Sequence, residues 1–311
     1  MTSQQTDRPA DVPLLEAAHT DRRAGIVRGI AVTARPRQWA KNLLVFAAPA
    51  TGSALTDPAA VLATVAAFAA FCLVASGVYC LNDVIDAKED RRHPVKRDRP
   101  VAAGAVSMRS ATLAGAFLVV LGLAVAVVGG GAPLVGVLAA YLALSVAYMV
   151  VLRGVALLDI AAIAGGFLLR AIAGGVAADV ELSMWFLMVA GFGSLFLAAG
   201  KRRAEYVQLG DERTSHRRSL LEYTEPYLRY VQYASSTVAI AAYAQWAFEG
   251  PTGGSIWSEL SIVPFVLGIF RYALLLDGGR GAAPEEVVLG DPSLLVLGAA
   301  WVVLVAVGVY G

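Results

Sequence analysis

Apolar residues dominate this chain in long runs broken by short polar segments. Runs near 59–80, 110–129, 133–151, 155–177, 184–199, 227–248, 261–276 and 291–310 contain few or no charges. A helix needs about 20 apolar residues to cross a hydrocarbon core of roughly 30 Å, and most of these runs reach or approach that length. A ninth, shorter run covers about 42–56. The pattern predicts an all-α polytopic membrane protein with about nine transmembrane helices, forming a single domain over 25–311. Residues 1–24 are polar and carry Asp7, Asp11, Glu16 and Asp21. They are expected to be a disordered tail, with no signal peptide because no apolar run follows a basic start.

Composition agrees, since 311 residues at 58% hydrophobic and 16% charged cannot be wrapped around one soluble core. The net charge of +1 conceals an asymmetry. With nine spans, 24 of the 25 Lys and Arg residues fall on one side of the membrane, in the N-terminal segment and every second loop. The positive-inside bias makes that side cytoplasmic and places the protein in a bacterial inner membrane with its N-terminus inside. Cys72 and Cys80 lie eight residues apart in one helix, so about 12 Å of rise separates them. A disulfide between them is excluded, and core packing is expected.

The segment "YCLNDVIDAKEDRRHPVKRDRP", 79–100, interrupts this apolar pattern at the cytoplasmic end of the second helix. At 100° per residue, Asp83, Asp86 and Asp90 project within about 60° of one another, and Asn82 stands one turn before Asp86. Like charges so crowded need neutralising. Mg²⁺ can do so with one or two carboxylates while water and phosphate oxygens fill its other positions. The plainer alternative is a solvated helix end whose acids pair with Arg91, Arg92 and Lys96.

The motif Asn82-Asp83-x-x-Asp86-x-x-x-Asp90, preceded by "RPRQWAKN" from Arg35 to Asn42, resembles the UbiA-type intramembrane prenyltransferases. That resemblance implies a UbiA-like bundle of nine helices around a cytoplasm-facing active-site cavity, with acidic motifs that hold Mg²⁺ and a diphosphate. Aromatic prenyltransferases of this superfamily carry a second Asp-rich motif between the sixth and seventh helices. The corresponding segment here, Ala198 to Thr224, has Lys201, Arg202, Arg203, Arg213, Arg217 and Arg218 but no D-x-x-x-D. Fewer carboxylates and more cations suit a donor with more phosphate, such as phosphoribosyl pyrophosphate. The strings "FGSLFLAAGKRRAE", "LLRAIAGGVA" and "DRPVAAG" are similar to the superfamily branch that moves a phosphoribosyl group onto polyprenyl (decaprenyl) phosphate. That branch makes the lipid-linked pentose precursor of cell-wall arabinan.

In that reading Asn82 and Asp86 are the direct Mg²⁺ ligands, with Asp83 and Asp90 completing the metal set. Asp83, Asp86 and Lys201 are the expected catalytic residues. Lys41, Lys96, Arg99, Arg153, Lys201 and Arg202 are expected to bind substrate phosphates, and Tyr79 to donate a hydroxyl bond. Most have a plainer alternative, and for Lys96 and Arg99 the added reading is a lid over the site. Lys41, beside Trp39, could be an interfacial anchor. Lys96 and Arg99, between Pro94 and Pro100, could belong to a lid because that stretch cannot continue a helix. Arg153 could serve topology alone, and Lys201 could pair with Glu205 one turn on. Tyr79 could simply pack at the interface.

Other polar residues carry less. Arg170, the one cation inside a predicted span, is expected to make a structural bond whose partner the sequence does not name. Asp159 could support Arg153. The Gly165-Gly166 and Gly174-Gly175 pairs suit close helix approach. His93 and His216 read as solvated loop residues. The basic run 201–218 reads as contact with substrate phosphate and phospholipid headgroups, with no nucleic acid. A transporter would carry its ionisable residues near the midplane, whereas these cluster at one face. A CDP-alcohol phosphotransferase would need glycine where Ala87 stands. The competing reaction within the superfamily is prenyl transfer to an aromatic or other small acceptor. The oligomeric state is left open, a homo-oligomer included.

Overall fold

The computed structural model describes residues 25–209, 219–249, 254–278 and 284–311. The tail 1–24 and the segment 210–218, with Arg213, His216, Arg217 and Arg218, lie outside the described residues. The described residues are helical and contain no strand. Helix α1 covers 25–33, and a 3₁₀ segment over Pro36–Phe46 leads into the short α2, Ala47–Thr51. Then come α3 (Pro58–Ile85), α4 (Ala87–Asp90), α5 (Met108–Val150), α6 (Leu158–Ala177) and α7 (Met184–Leu209). The chain continues through α8 (Ser219–Glu222), α9 (Glu225–Glu249), α10 (Ile256–Leu260), α11 (Ile262–Asp277), α12 (Pro284–Leu289) and α13 (Pro292–Tyr310).

Six stretches among the described residues are long and apolar enough to cross a membrane: α3, α5, α6, α7, α10 with α11, and α13. The chain is therefore a multi-pass membrane protein. The expected nine differ from these six in three places. The runs 110–129 and 133–151 form the single assigned helix α5, which is broken at Gly131 and contains Pro133. Gly131 has φ 63° and ψ −158°, a conformation open to glycine and closed to most L residues. The run 227–248 is helical as α9, but Gln232, Ser235, Ser236 and Thr237 lower its hydropathy. The run 42–56 forms no long helix, since a 3₁₀ segment and five α-helical residues take its place, with Pro49 and Gly52 interrupting the pattern.

The chain divides into two compact units. One holds residues 25–37 and 75–120 among those described. Its core is Ala87, Val101, Val106 and Ala111, packed with Ile30 and Val84. This small cluster folds the loop after α4 back onto the end of α3. Arg91 Nε donates to the Ala102 carbonyl at 3.1 Å and fixes that return.

The other unit holds 38–74 and 121–311. There α7 packs chiefly between α6 and α9, and α11 packs on α13. Asp291 caps α13 by accepting from Leu294 N at 3.0 Å, with Pro292 in its first turn. At its other end Tyr310 OH donates to Ala50 O at 2.9 Å, returning α13 to α2. Gly174 is required by packing, because a Cβ there would strike the Val45 carbonyl. Nothing larger than glycine lets α6 approach the 3₁₀ segment so closely.

Candidate active site

The acidic motif lies in the first unit, on a nearly continuous helix. Asp86 N still donates to Asn82 O at 2.9 Å, and Asp90 N to Asp86 O at 2.9 Å, across the junction of α3 and α4. Helical spacing therefore continues through the motif, and the environments of its four polar side chains differ. Asp83 and Asp90 are buried, whereas Asn82 and Asp86 are partly exposed. Arg35 Nη2 reaches Asp83 Oδ1 at 2.5 Å, and Arg99 Nη1 reaches Asp90 Oδ2 at 2.7 Å and Asp83 Oδ1 at 3.4 Å. The two arginines neutralise carboxylates that would be costly to bury unpaired. Their own side chains are 29% and 28% exposed, so solvent still reaches the cations.

Asn82 Nδ2 donates to Asp86 Oδ2 at 3.0 Å, which orients its amide oxygen away from that contact. A hard oxygen donor from Asn82 and a carboxylate from Asp86 fit the one or two protein ligands that Mg²⁺ takes. Among the described residues no group of three or more His, Cys, Asp or Glu side chains is spaced to enclose a metal by itself. The donor set thus fits an ion completed by substrate and water.

Arg35 is the residue missed by sequence reasoning. It stands in the quoted "RPRQWAKN" string, and its guanidinium also lies 5.0 Å from the centre of the Tyr79 ring. That cation–π contact accounts for much of Tyr79's local environment. Lys96 begins a 3₁₀ turn, Lys96–Asp98, after which Arg99 is extended and aims at the carboxylates. His93, expected to be solvated, accepts from Val95 N and Lys96 N at 3.2 and 3.3 Å and shapes the same turn.

The second unit carries the other expected cations. Lys201 is exposed, and Lys41 and Arg153 are partly so. Arg202 differs from expectation. Its side chain is only 3% exposed, and Nε lies 2.9 Å from Asp159 Oδ2 while Nη1 pairs with Glu205. It is turned into the protein rather than toward phosphate. Asp159, expected to support Arg153, pairs directly with Arg202 and reaches Arg153 only through Ser219, whose Oγ meets the Arg153 carbonyl. Arg203 is likewise consumed, by Glu225 at 3.1 Å and by Asp277 at 2.5 Å. Hydrogen bonds from Arg229 and Arg203 hold the Glu225 carboxyl below its usual range.

Asp159 is fully buried and, beside its ion pair with Arg202, accepts several hydrogen bonds, one of them from Ile160 N at 2.8 Å. Tyr223 OH donates to its Oδ1 at 2.6 Å, and Ser219 Oγ lies 3.0 Å from its Oδ2. Burial, reinforced by the bond to Asp159, pushes the Tyr223 phenol above its ordinary range and keeps it a donor. Tyr223 OH in turn accepts from Leu157 N at 2.6 Å. Leu157 has φ 68° and ψ −46°, close to a classic γ-turn and strained for a leucine.

Arg170 lies deep in α6. Its Nε donates to Asn42 Oδ1 at 2.7 Å, Nη1 to Gly166 O at 2.6 Å and Nη2 to Tyr141 OH at 3.2 Å. Its guanidinium sits 4.8 Å from the Tyr141 ring centre and 5.5 Å from that of Phe71. Asn42 also donates to Cys72 Sγ at 3.2 Å, so the free Cys72 thiol is part of the packing. These bonds fix the 3₁₀ segment that carries Lys41.

Two cavities stand out in the second unit. One of about 750 Å³ is bordered by Asp57, Asp179, Glu181, Trp185, Trp246 and Glu249. The other, about 260 Å³, is bordered by Arg203, Glu225, Arg229 and Asp277. Neither is lined by Asp86 or Lys201, so neither is the cavity the sequence leads one to expect.

A helical membrane protein with an Asn-Asp-x-x-Asp-x-x-x-Asp helix end defines a class of intramembrane enzyme, and the comparisons name it. Residues 42–290 match the UbiA prenyltransferase family, and the chain belongs to that family. Over 300 residues it is 45% identical to the decaprenyl-phosphate phosphoribosyltransferase of Mycolicibacterium smegmatis, covering 92% of this chain and 93% of that protein. It is 41% identical over 300 residues to the protein of the same name from Mycobacterium tuberculosis H37Rv, covering 92% and 96%. The fold superposes on a UbiA homolog from Archaeoglobus fulgidus bound to GPP and Mg²⁺ with a TM-score of 0.71. That match covers 90% of this chain and 98% of the other at 16% identity.

Proposed function

We propose that the protein transfers the 5-phosphoribosyl group from phosphoribosyl pyrophosphate to a polyprenyl phosphate, decaprenyl phosphate in the first instance, for cell-wall arabinan precursor synthesis. The observation that carries this is the 45% identity to a decaprenyl-phosphate phosphoribosyltransferase along nearly the full length of both chains. The segment from Ala198 to Thr224 supports it, because it has no second Asp-rich motif and an excess of cations. An oxygen of the lipid phosphate bonds to the anomeric carbon as the bond from that carbon to pyrophosphate breaks, and pyrophosphate departs with the electron pair. The acceptor is already an anion, so no strong general base is needed. Catalysis is then mostly positioning and stabilisation of charge on the leaving group.

Mg²⁺, when bound, supplies the counter-charge that a leaving diphosphate requires. Asn82 and Asp86 would hold it, with Asp83 and Asp90 shaping the site behind them. Asp83 and Asp90 keep Arg35 and Arg99 in place, and Arg99 makes both of its carboxylate contacts through Nη1 alone. The guanidinium has further donors for a phosphate oxygen. Lys41, Lys96, Arg153 and Lys201 bind the remaining phosphates, and Lys201 balances charge during transfer. Tyr79 orients Arg35. Arg202 acts indirectly, through Asp159. The positive-inside distribution of Lys and Arg supports an inner-membrane location with this chemistry on the cytoplasmic side.

The test is Mg²⁺-dependent transfer of label from [¹⁴C]phosphoribosyl pyrophosphate to decaprenyl phosphate by detergent-purified protein. Lipid-extractable label that disappears with EDTA is the expected result. A folded protein that ignores this donor and consumes a prenyl diphosphate would overturn the reading in favour of prenyl transfer.

A further inference from the structure

The bonds around Asp159 reach beyond the ion pair with Arg202. Ser219 Oγ lies 3.1 Å from the main-chain carbonyl of Arg153 as well as 3.0 Å from Asp159 Oδ2. A hydroxyl has one proton, so the two acceptors share it. Tyr223 OH bridges Asp159 Oδ1 and Leu157 N, both at 2.6 Å. The start of α6 and the turn before it are thereby tied at Arg153, Leu157 and Asp159 to the segment that runs from α8 into α9. Arg202 of α7 closes the set from a third element.

We propose that Asp159, Ser219, Tyr223 and Arg202 form a buried clasp that positions Arg153 for a phosphate of the donor. They are positioning residues and do not touch substrate. The proposal rests on the reading of Arg153 as a phosphate ligand.

Local structure explains why such a clasp is needed. Arg153 sits in a single 3₁₀ turn, Leu152–Gly154, with main-chain bonds from Gly154 N to Val151 O and from Val155 N to Leu152 O. One turn followed by a strained residue does not hold a long cationic side chain in place by itself. Tyr223 gives the Leu157 amide its acceptor and so stabilises the strained conformation. Ser219 grips the carbonyl of Arg153 itself. Asp159 and Arg202 are fully desolvated, so their pairing excludes the competing geometries that water would permit. The hydroxyls satisfy carboxylate lone pairs that the guanidinium leaves over. Arg202, Arg203 and Lys201 divide accordingly: the two arginines are spent on Asp159, Glu205, Glu225 and Asp277, and Lys201 is the one turned outward.

The test is a double-mutant cycle on full-length protein in nanodiscs with Ser219→Ala, Arg153→Ala and both together. Ser219→Ala is expected to raise KM for phosphoribosyl pyrophosphate about tenfold, because small misplacements of a binding group are costly. KM for the lipid phosphate and kcat should stay within about twofold, and in the Arg153→Ala background Ser219→Ala should add nothing. Tyr223→Phe is expected to follow the same pattern. Equal effects of Ser219→Ala in both backgrounds, or unchanged KM, would overturn the clasp. Hydrogen exchange over 152–158 gives a readout that needs no donor and is expected to quicken in Ser219→Ala. A wild-type protein that never uses this donor, together with faster exchange in Ser219→Ala, would sink the donor assignment and leave the clasp as a support of the Arg153 turn alone. Unchanged exchange would sink the clasp.

Discussion

Two sets of buried carboxylates in this protein pair with arginine, and they differ in how much water reaches the cation. At the end of α3, Asp83 and Asp90 are paired with Arg35 and Arg99, whose side chains are 29% and 28% exposed. At the start of α6, Asp159 is paired with Arg202, which is 3% exposed, and two hydroxyls and the Ile160 amide donate to it. The same ion-pair chemistry therefore gives two kinds of site. A half-wet pair leaves its cations within reach of a phosphate, next to Asn82 and Asp86, the residues proposed to hold the metal. A dry pair with its lone pairs filled is fixed, because removing either partner strands a buried charge. The first arrangement suits binding and the second suits holding other groups still.

Mutation should separate the two. The largest effect on turnover is expected from Asp86→Ala, which removes a carboxylate proposed to hold the metal. Transfer should fall by at least about 100-fold, with the melting temperature little changed, as loss of a transition-state electrostatic contact predicts. Asp159→Asn should do the reverse in emphasis, destabilising the protein by about 3 kcal/mol, because the buried Arg202 is then left with Glu205 as its carboxylate partner, measured by thermal melting in detergent. Arg35→Ala should cost less stability, about 1 kcal/mol, because Asp83 keeps Arg99 and Arg35 is partly solvated. A loss as large as that of Asp159→Asn would erase the distinction between the two sites.

The smaller effects sharpen it. Leu157→Gly should stabilise the fold by about 1 kcal/mol through relief of a positive φ, offset by added freedom of the unfolded chain. Alkaline melting should report Tyr223. Its phenol is held above its ordinary range, so its contribution is fully present below the unfolded value of about 10 and is lost as pH rises through the higher folded value. Tyr223→Phe should abolish that part of the pH dependence.

The sequence made the acidic helix end legible because helical periodicity is local. Asn82 and Asp86 need only one turn of α3 and α4 to meet. The resemblance to UbiA-type enzymes was equally readable, in that motif and in the strings around Arg170 and Lys201. What the sequence hid is what tertiary packing decides. Arg35 meets Asp83 across 48 positions, and Arg170 meets Asn42 across 128. Asp159 was matched to Arg153, its neighbour in sequence, whereas the guanidinium delivered to it comes from α7. The apolar run 42–56 looked like a short span because hydropathy does not register that Pro49 and Gly52 interrupt a helix. In α9 the expected helix did form, although buried Gln232 and Ser235 dilute its apolar signal.

The central claim is that the acidic helix end, through Asn82 and Asp86 beside the half-wet ion pairs, binds metal and the dry Asp159 set does not. Mn²⁺ bound in place of Mg²⁺, counted by electron paramagnetic resonance in the presence of phosphoribosyl pyrophosphate, tests it directly. Wild-type protein and Ser219→Ala should bind Mn²⁺ alike, and Asp86→Ala should lose it. Retention of Mn²⁺ by Asp86→Ala, or its loss in Ser219→Ala, would contradict the account.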